Sequence, residues 1–192
     1  MSRDQWLPGP ADEPLPRRAV TALHSQLDRR VREARGVRQR VVAELRGGSL
    51  GYPLHPVLVD LAGAYWTASI TLDVLAIGAG RFRPAADAML VAGVAASVPT
   101  VASGLLEWLA LRPSLRVRGL CHGSLGLTTS VLFGVSLLLR IAGRRKTAVL
   151  VSALASGTAI AAAHLGGQLV FNHGAGQRES GADENLEGAR SS

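Results

Sequence analysis

Histidines and carboxylates near the ends of apolar segments are the side chains of this sequence whose types and spacing suit chemistry. Neutral imidazoles on two different helices are suitable axial ligands for a haem iron, and nearby carboxylates can orient the second ring nitrogen or carry protons. We therefore predict a site for haem b or a quinone, and no metal-ion cluster. The candidate cofactor ligands are His55, His122, His164 and His173, and the candidate members of a proton or polar network are Asp60 and Glu107.

Long stretches without charged residues must position these side chains. Stretches of 19, 21 and 31 residues, at 88–106, 119–139 and 147–177, contain no Asp, Glu, Lys or Arg. Each is long enough to cross a hydrocarbon core about 30 Å thick, which takes about 20 helical residues. The predicted fold class is all-α, an integral membrane four-helix bundle preceded by a basic amphipathic helix. Within a transmembrane domain at 49–176, the helices are predicted at about 56–79, 85–110, 119–141 and 147–171.

The segment that precedes the bundle is strongly basic, since ten of the 21 Lys and Arg residues lie before Leu50. Residues 17–48 are predicted to form an amphipathic helical arm, because apolar residues recur there at helical spacing. Such an arm suits anionic lipid headgroups, to which each basic residue contributes about 1 kcal/mol. Packing on the ends of the bundle and a short coiled coil are the alternatives. The apolar positions are Val20, Leu23, Leu27, Val31, Ala34, Val37, Val41 and Leu45.

The remaining segments are predicted to be connections or tails. Residues 1–16 and 177–192 are polar or proline-rich and are predicted to be disordered. Gly36 is a potential break in the arm, and Gly47 and Gly48 are a hinge between the arm and the bundle. No nucleic-acid-binding motif accompanies the positive charge.

The arginine distribution favours a cell membrane protein with both termini in the cytoplasm. With that orientation 15 basic residues lie inside and six lie outside, in agreement with the positive-inside rule. The difference is smaller among residues near the membrane, because Arg140, Arg144, Arg145 and Lys146 flank the third connection on the outer side.

An even number of helices places most histidines on one side of the membrane. The start of the first helix, the end of the second, the start of the third and the end of the fourth share that side, and four of the five histidines occur there. On the opposite side, Asp73 and Asp87 are expected to pair with Arg81 and Arg83 as ordinary flanking charge. We see no internal repeat.

Several roles are open for the residues on the histidine side. His122 and His164 are one potential pair of axial ligands, whereas a hydrogen bond between His122 and Glu107 is the structural alternative. His164 is the strongest functional candidate, because an ionisable group inside an apolar helix is costly and is usually functional or paired.

Three further residues on that side have structural alternatives. His55 is expected to cap or hydrogen-bond the entry to the first helix. Asp60 is expected to line a proton or ligand path, or to pair with His55 or Arg118. Trp108 fits an aromatic belt at the membrane interface.

Four segments carry a resemblance to a known family: 51–69 (GYPLHPVLVDLAGAYWTAS), 103–108 (SGLLEW), 121–126 (CHGSLG) and 164–176 (HLGGQLVFNHGAG). Over about residues 47–176 the sequence resembles the bacterial membrane family known as domain of unknown function 2231. The resemblance implies a four-helix membrane bundle. Because some relatives are fused to Rieske iron–sulfur domains, it also implies an electron-transfer partner such as a Rieske protein. The sequence departs from many relatives at Tyr52, where they have histidine, and at Glu107, where they have aspartate.

The composition excludes several classes of protein. One cysteine permits neither an intramolecular disulfide nor a cysteine-ligated iron–sulfur centre. The sequence has no GxSxG, phosphate-binding loop or HExxH motif, so it does not indicate an enzyme. Our first hypothesis is a membrane redox component that binds haem or quinone, or that anchors an electron-transfer partner. The alternatives are a non-catalytic scaffold or partner-binding subunit, and a small proton or solute transporter that functions as a homo-oligomer.

Overall fold

The computed structural model describes residues 15–33, 35–49 and 51–172, and this part of the chain is almost entirely helical. Two helices form the arm and four longer helices form the bundle, with short 3-10 turns between some of them. The prediction of an all-α bundle with a preceding helical arm is confirmed. The helices are α1 (Leu15–Arg32), α2 (Val37–Leu45), α3 (Leu54–Gly78), α4 (Arg83–Ala110), α5 (Arg116–Ile141) and α6 (Arg145–Gly167).

Four helical segments are long and apolar enough to cross a membrane. They coincide with α3 to α6, although the last continues beyond Gly167 as a π-helical turn over Gln168–Asn172. α3 packs closely along α4 and α5 along α6, so the bundle consists of two antiparallel hairpins. α4 and α5 join the hairpins, whereas α3 and α6 make few contacts. One side of the bundle therefore remains open.

The two hairpins form an internal repeat, which the sequence analysis did not detect. Residues 67 positions apart in α3 and α5 meet in the centre of the bundle, and residues 62 positions apart in α4 and α6 occupy equivalent places. Ser69 donates a hydrogen bond to the Ala86 carbonyl, and its counterpart Ser136 donates one to the Ala148 carbonyl. These relations place a pseudo-two-fold axis along the membrane normal. The pairs that meet across it are His55 with His122, Trp66 with Phe133 and Asp73 with Arg140.

The middle of the axis is an aromatic stack. The rings of Trp66 and Phe133 are nearly parallel, with centroids 4.4 Å apart. Such a pair adds about 1 kcal/mol beyond the area it buries. Gly93 of α4 has no side chain where the Trp66 ring lies, and a Cβ atom there would come within 2.5 Å of Trp66 Cδ1. Leu90 and Ala155 complete this cluster.

An ionic network closes the end of the bundle opposite the histidines. Asp73 on α3 contacts Arg140 on α5 and Arg145 on α6, and the Arg145 distance is 2.7 Å. Asp87 on α4 contacts the same two arginines at 2.7 and 2.9 Å. The expected pairing of Asp73 and Asp87 with Arg81 and Arg83 is therefore wrong. Asp73 is buried between the helices and Asp87 is partly exposed, and arginines from α5 and α6 reach both carboxylates.

The arm packs on the histidine end of the bundle through α1. Val20 and His24 are buried against Trp108 and Leu109 at the end of α4. His24 Nε2 lies 3.0 Å from the Leu109 carbonyl oxygen and donates to it. That carbonyl belongs to the last turn of α4, where no helical N–H is left to reach it.

This contact corrects two expectations. Trp108 is covered by α1 and donates from Nε1 to the Arg116 carbonyl, so it does not belong to an aromatic belt. The buried stripe of α1 runs through His24 rather than Leu23, which is 40% exposed. Spacings of four and three residues link Val20, His24 and Leu27 on one face.

Two glycines shape the arm. α1 ends at Arg32 and α2 begins at Val37, with Gly36 between them at φ +61°. Gly47 has φ +84°, and a Cβ atom there would overlap the Tyr52 carbonyl oxygen. Only glycine satisfies both demands at Gly47, since L-residues rarely adopt this backbone conformation. A sharp turn thus brings the chain from α2 to the start of α3.

Substitution of Arg140 tests the ionic network. Arg140→Ala removes one of the two arginines that contact the buried Asp73 carboxylate. We therefore expect it to lower the free energy of unfolding by about 3 kcal/mol. Arg140→Gln combined with Asp73→Asn removes one charge of each sign and should destabilise less than Arg140→Ala. The control is Arg144→Ala, because Arg144 is exposed and lies just beyond the end of α5. Unfolding in detergent checks this, and equal losses for Arg140→Ala and Arg144→Ala would contradict it.

Candidate functional site at the histidine end

His55 is held between the two helices of the first hairpin. Its Nδ1 atom lies 3.0 Å from the Thr100 carbonyl oxygen of α4 and 3.3 Å from Ser103 Oγ. The expectation that His55 caps or hydrogen-bonds the entry to its own helix is wrong, because Pro53 occupies the cap position and the imidazole donates to a carbonyl of α4. The ring packs on Gly104, where a Cβ atom would come within 2.7 Å of His55 Cε1.

His122 repeats this arrangement in the second hairpin. Its Nδ1 atom lies 2.9 Å from the Ala162 carbonyl oxygen of α6, and its ring packs on Gly166. In both hairpins the acceptor is the carbonyl four residues before the glycine. A helical carbonyl points toward the residue four positions ahead, so a glycine there leaves the oxygen open to a neighbouring ring. The expected hydrogen bond between His122 and Glu107 is not made.

The two imidazoles meet on the pseudo-two-fold axis. Their ring centroids are 6.3 Å apart and their planes are inclined by 86°. Because each Nδ1 faces a carbonyl oxygen, it carries the proton in the neutral ring, and each Nε2 has a free lone pair. Neither Nε2 has a hydrogen-bond partner among the described residues. We call His55, His122 and Glu107 the axial site.

Glu107 lies one helical turn beyond Gly104, on the same side of α4 as the glycine that seats His55. The side chain is half-buried, and its Oε1 atom is buried without a hydrogen-bond partner in the part of the chain that the structure describes. A buried polar atom without a partner is uncommon in folded proteins. Glu107 therefore has an unused acceptor about one helical turn from the glycine on which His55 packs.

The structure does not bring the other candidate residues into the axial site. His164 is exposed and lies nine residues from the fully buried Ala155, which on a helix is the opposite face. Its Nε2 accepts from the Gln168 amide at 3.0 Å. Asp60 is also exposed, facing away from the bundle interior. His173 lies outside the described residues.

These positions change which histidines suit a haem. A haem between His122 and His164 does not fit, since His122 contacts the inner face of α6 and His164 occupies its outer face. His55 and His122 do fit the ligand set. Two imidazoles that bind one metal ion from opposite sides have centroids roughly 6 Å apart, because a metal–nitrogen bond is about 2 Å long. In addition, metal-binding histidines usually donate their second N–H to a carbonyl or carboxylate.

Sequence reasoning found His55, His122 and Glu107 but missed His24 and the pairing of the rings. His24 could have been found from its place in the Val20–His24–Leu27 spacing. Among the described residues there is no group of three or more His, Cys, Asp and Glu side chains that would hold a metal ion. A cofactor at the axial site would therefore depend on the two imidazoles.

Comparison with known proteins gives one family. The model described as "Predicted membrane protein (DUF2231)" matches residues 51–179, which include α3 to α6 and leave out the arm. No curated protein and no solved structure gives a match.

Glycine substitutions test how the imidazoles are seated. Gly104→Ala and Gly166→Ala each place a Cβ atom within 3 Å of an imidazole carbon, so either change must displace the ring. We expect each to lower the free energy of unfolding by about 1 to 3 kcal/mol, as overpacking does. Gly123→Ala and Gly134→Ala are matched controls in α5, where a Cβ atom meets no other atom within 4 Å. Thermal unfolding in detergent measures this, and controls as unstable as the test variants would refute it.

Proposed function

The chain belongs to the DUF2231 family of predicted membrane proteins, and we propose that it binds a redox cofactor at the axial site. Haem b is the cofactor that the two imidazoles suit best. One observation carries the proposal: both rings are anchored through Nδ1 to backbone carbonyls, so both Nε2 atoms are available to one ligand on the axis.

The repeat supports a cofactor on the axis. His55 and His122 come from equivalent positions of the two hairpins, and their rings meet at the axis. A haem iron held by these two residues would receive one imidazole from each hairpin. In membrane proteins built from repeats related by an axis along the membrane normal, binding sites commonly lie between the repeats.

When bound, haem would supply one-electron chemistry. The residues of this chain would hold the iron through His55 and His122, and the Thr100 and Ala162 carbonyls would keep each ring in its tautomer. Trp66 and Phe133 close the axis on the side of the bundle centre and would exclude water there. A Rieske-type electron-transfer protein is the proposed partner, and the cytoplasmic side is the proposed location of the site, as the arginine count favours.

A quinone is the second candidate, and the unpartnered Oε1 atom of Glu107 favours it. A quinol has two hydroxyl groups, one for an imidazole Nε2 and one for a carboxylate oxygen. Quinones are soluble in the bilayer, and the axial site lies at the histidine end of the membrane-spanning helices. Under this reading Glu107→Gln lowers quinone content, whereas under haem ligation it leaves haem content unchanged.

Asparagine variants test cofactor binding without removing the structural hydrogen bonds. The amide N–H of asparagine can replace the Nδ1 donor to the carbonyl, but asparagine has no counterpart of Nε2. We expect His55→Asn and His122→Asn to lower haem occupancy by at least about tenfold, because a ligand is lost. The measurement is the absorption spectrum of the full chain, expressed with added haem and purified in detergent.

The matched control is His164→Asn, which changes an exposed histidine on the same side of the membrane. It should retain the wild-type spectrum. Absence of a Soret band in the wild-type protein despite added haem would reject haem binding. Wild-type haem content in His122→Asn would reject the assigned ligands. Extraction and chromatography of the same preparations report quinone.

A further inference from the structure

Two ionisable side chains face the surroundings of the bundle rather than its interior. Asp60 lies nine residues before the fully buried Ser69, and His164 lies nine residues after the fully buried Ala155. Nine residues make two and a half turns of a helix, so both side chains point directly away from the core. Both belong to segments that are apolar enough to span the membrane.

Both residues lie in the half of their helix that is nearer the histidine end. Asp60 is six residues from the start of α3, which is about 9 Å along the helix. His164 is eight residues before Asn172, the end of the helical segment, which is about 12 Å. The contact of His55 with His122, and of His122 with Ala162 and Gly166, places His164 roughly 7 Å nearer that end of the bundle than Asp60. Side chains tilt toward the N-terminus of their own helix, and α3 and α6 run in opposite directions, so the two side chains lean toward each other's level.

α3 and α6 form the same open side of the bundle. A groove of about 310 Å³ remains between these helices, lined on α3 by Gly63, Thr67 and Thr71 and on α6 by Ser156 and Ile160. Asp60 and His164 flank this side, one on each helix. Thr67 and Thr71 are exposed on the same face of α3 as Asp60. The polar side chains on this face of α3 would have no hydrogen-bond partners among lipid tails.

An aspartate in contact with lipid is costly, by about 3 kcal/mol at the bilayer centre on insertion scales, and usually finds a partner. Asp60 makes no hydrogen bond or ion pair with another described residue. Lipid tails offer no opposite charge or donor. His164 accepts from Gln168 at Nε2, so its Nδ1 carries a hydrogen and remains available as a donor.

We propose that the α3/α6 face is the interface of a homodimer, in which Asp60 of each copy accepts a hydrogen bond from His164 of the other. A two-fold axis along the membrane normal brings α3 of one copy beside α6 of the other and forms both pairs at once. Gly63 and Gly157 have open space around their Cα atoms and permit close approach of the helices. A second copy is the occupant that supplies the complementary group twice.

A charge-swap cycle tests the dimer. Asp60→His and His164→Asp each leave like groups opposite one another, and each should weaken dimerisation by about tenfold, as expected for two lost interhelical hydrogen bonds. The double variant Asp60→His with His164→Asp restores both pairs with the partners exchanged and should return the dissociation constant to within about threefold of wild type. Ser124→Ala is the control, since Ser124 is exposed on α5, away from this face.

The measurement is energy transfer between full-length copies in lipid vesicles, labelled at the lone exposed cysteine, Cys121. Circular dichroism and elution volume confirm that each variant is folded. A wild-type protein that stays monomeric at every protein-to-lipid ratio would overturn the proposal. So would a dimer that is insensitive to the single substitutions, or a double variant without rescue. Haem content is read separately, so this proposal and the cofactor proposal can fail independently.

Discussion

The contact between Arg140 and Asp73 is the constraint on which the arrangement of the bundle depends. Each side chain is only 3% exposed, and each would be costly to bury without the other. Arg145 and Asp87 extend the contact to the remaining two helices, so a single network ties α3, α4, α5 and α6 at one end. Interhelical hydrophobic attraction is weak in lipid, and polar contacts of this kind define how the helices are rotated against one another. That rotation directs Trp66 toward Phe133 and His55 toward His122.

The two ends of the bundle use the same repeat for different purposes. At the ionic end, equivalent positions have become opposite charges, Asp73 and Arg140, which neutralise each other across the axis. At the histidine end, equivalent positions have stayed identical, and their hydrogen bonds go to carbonyls within each hairpin rather than to one another. The opposite charges pair with each other, and among the buried atoms of these side chains Arg140 Nε alone lacks a partner among the described residues. Identical imidazoles leave two lone pairs, and this difference is why we propose the cofactor at the histidine end.

The number and approximate positions of the spans could be predicted because the absence of charge over about 20 residues is a property of each segment alone. The rotation of each helix could not be predicted in the same way. Arg140 ends a charge-free stretch, as many membrane-flanking arginines do, and nothing local indicates that it turns inward toward Asp73. The repeat was also missed, because its equivalent residues are mostly different in type, such as Trp66 and Phe133. The resemblance to the family indicated which segments matter, but the pairing of His55 with His122 rather than His164 required the helices to be assembled.

The contact of His24 with the Leu109 carbonyl has a consequence for biosynthesis. The two residues are 85 positions apart, so α1 leaves the ribosome long before the end of α4 exists. At about 5 to 20 residues per second, the interval is roughly 4 to 17 s. During that time Val20 and His24 have no bundle end to pack on. α1 therefore reaches its final place only after the end of α4 and the start of α5, which it also contacts, have been made.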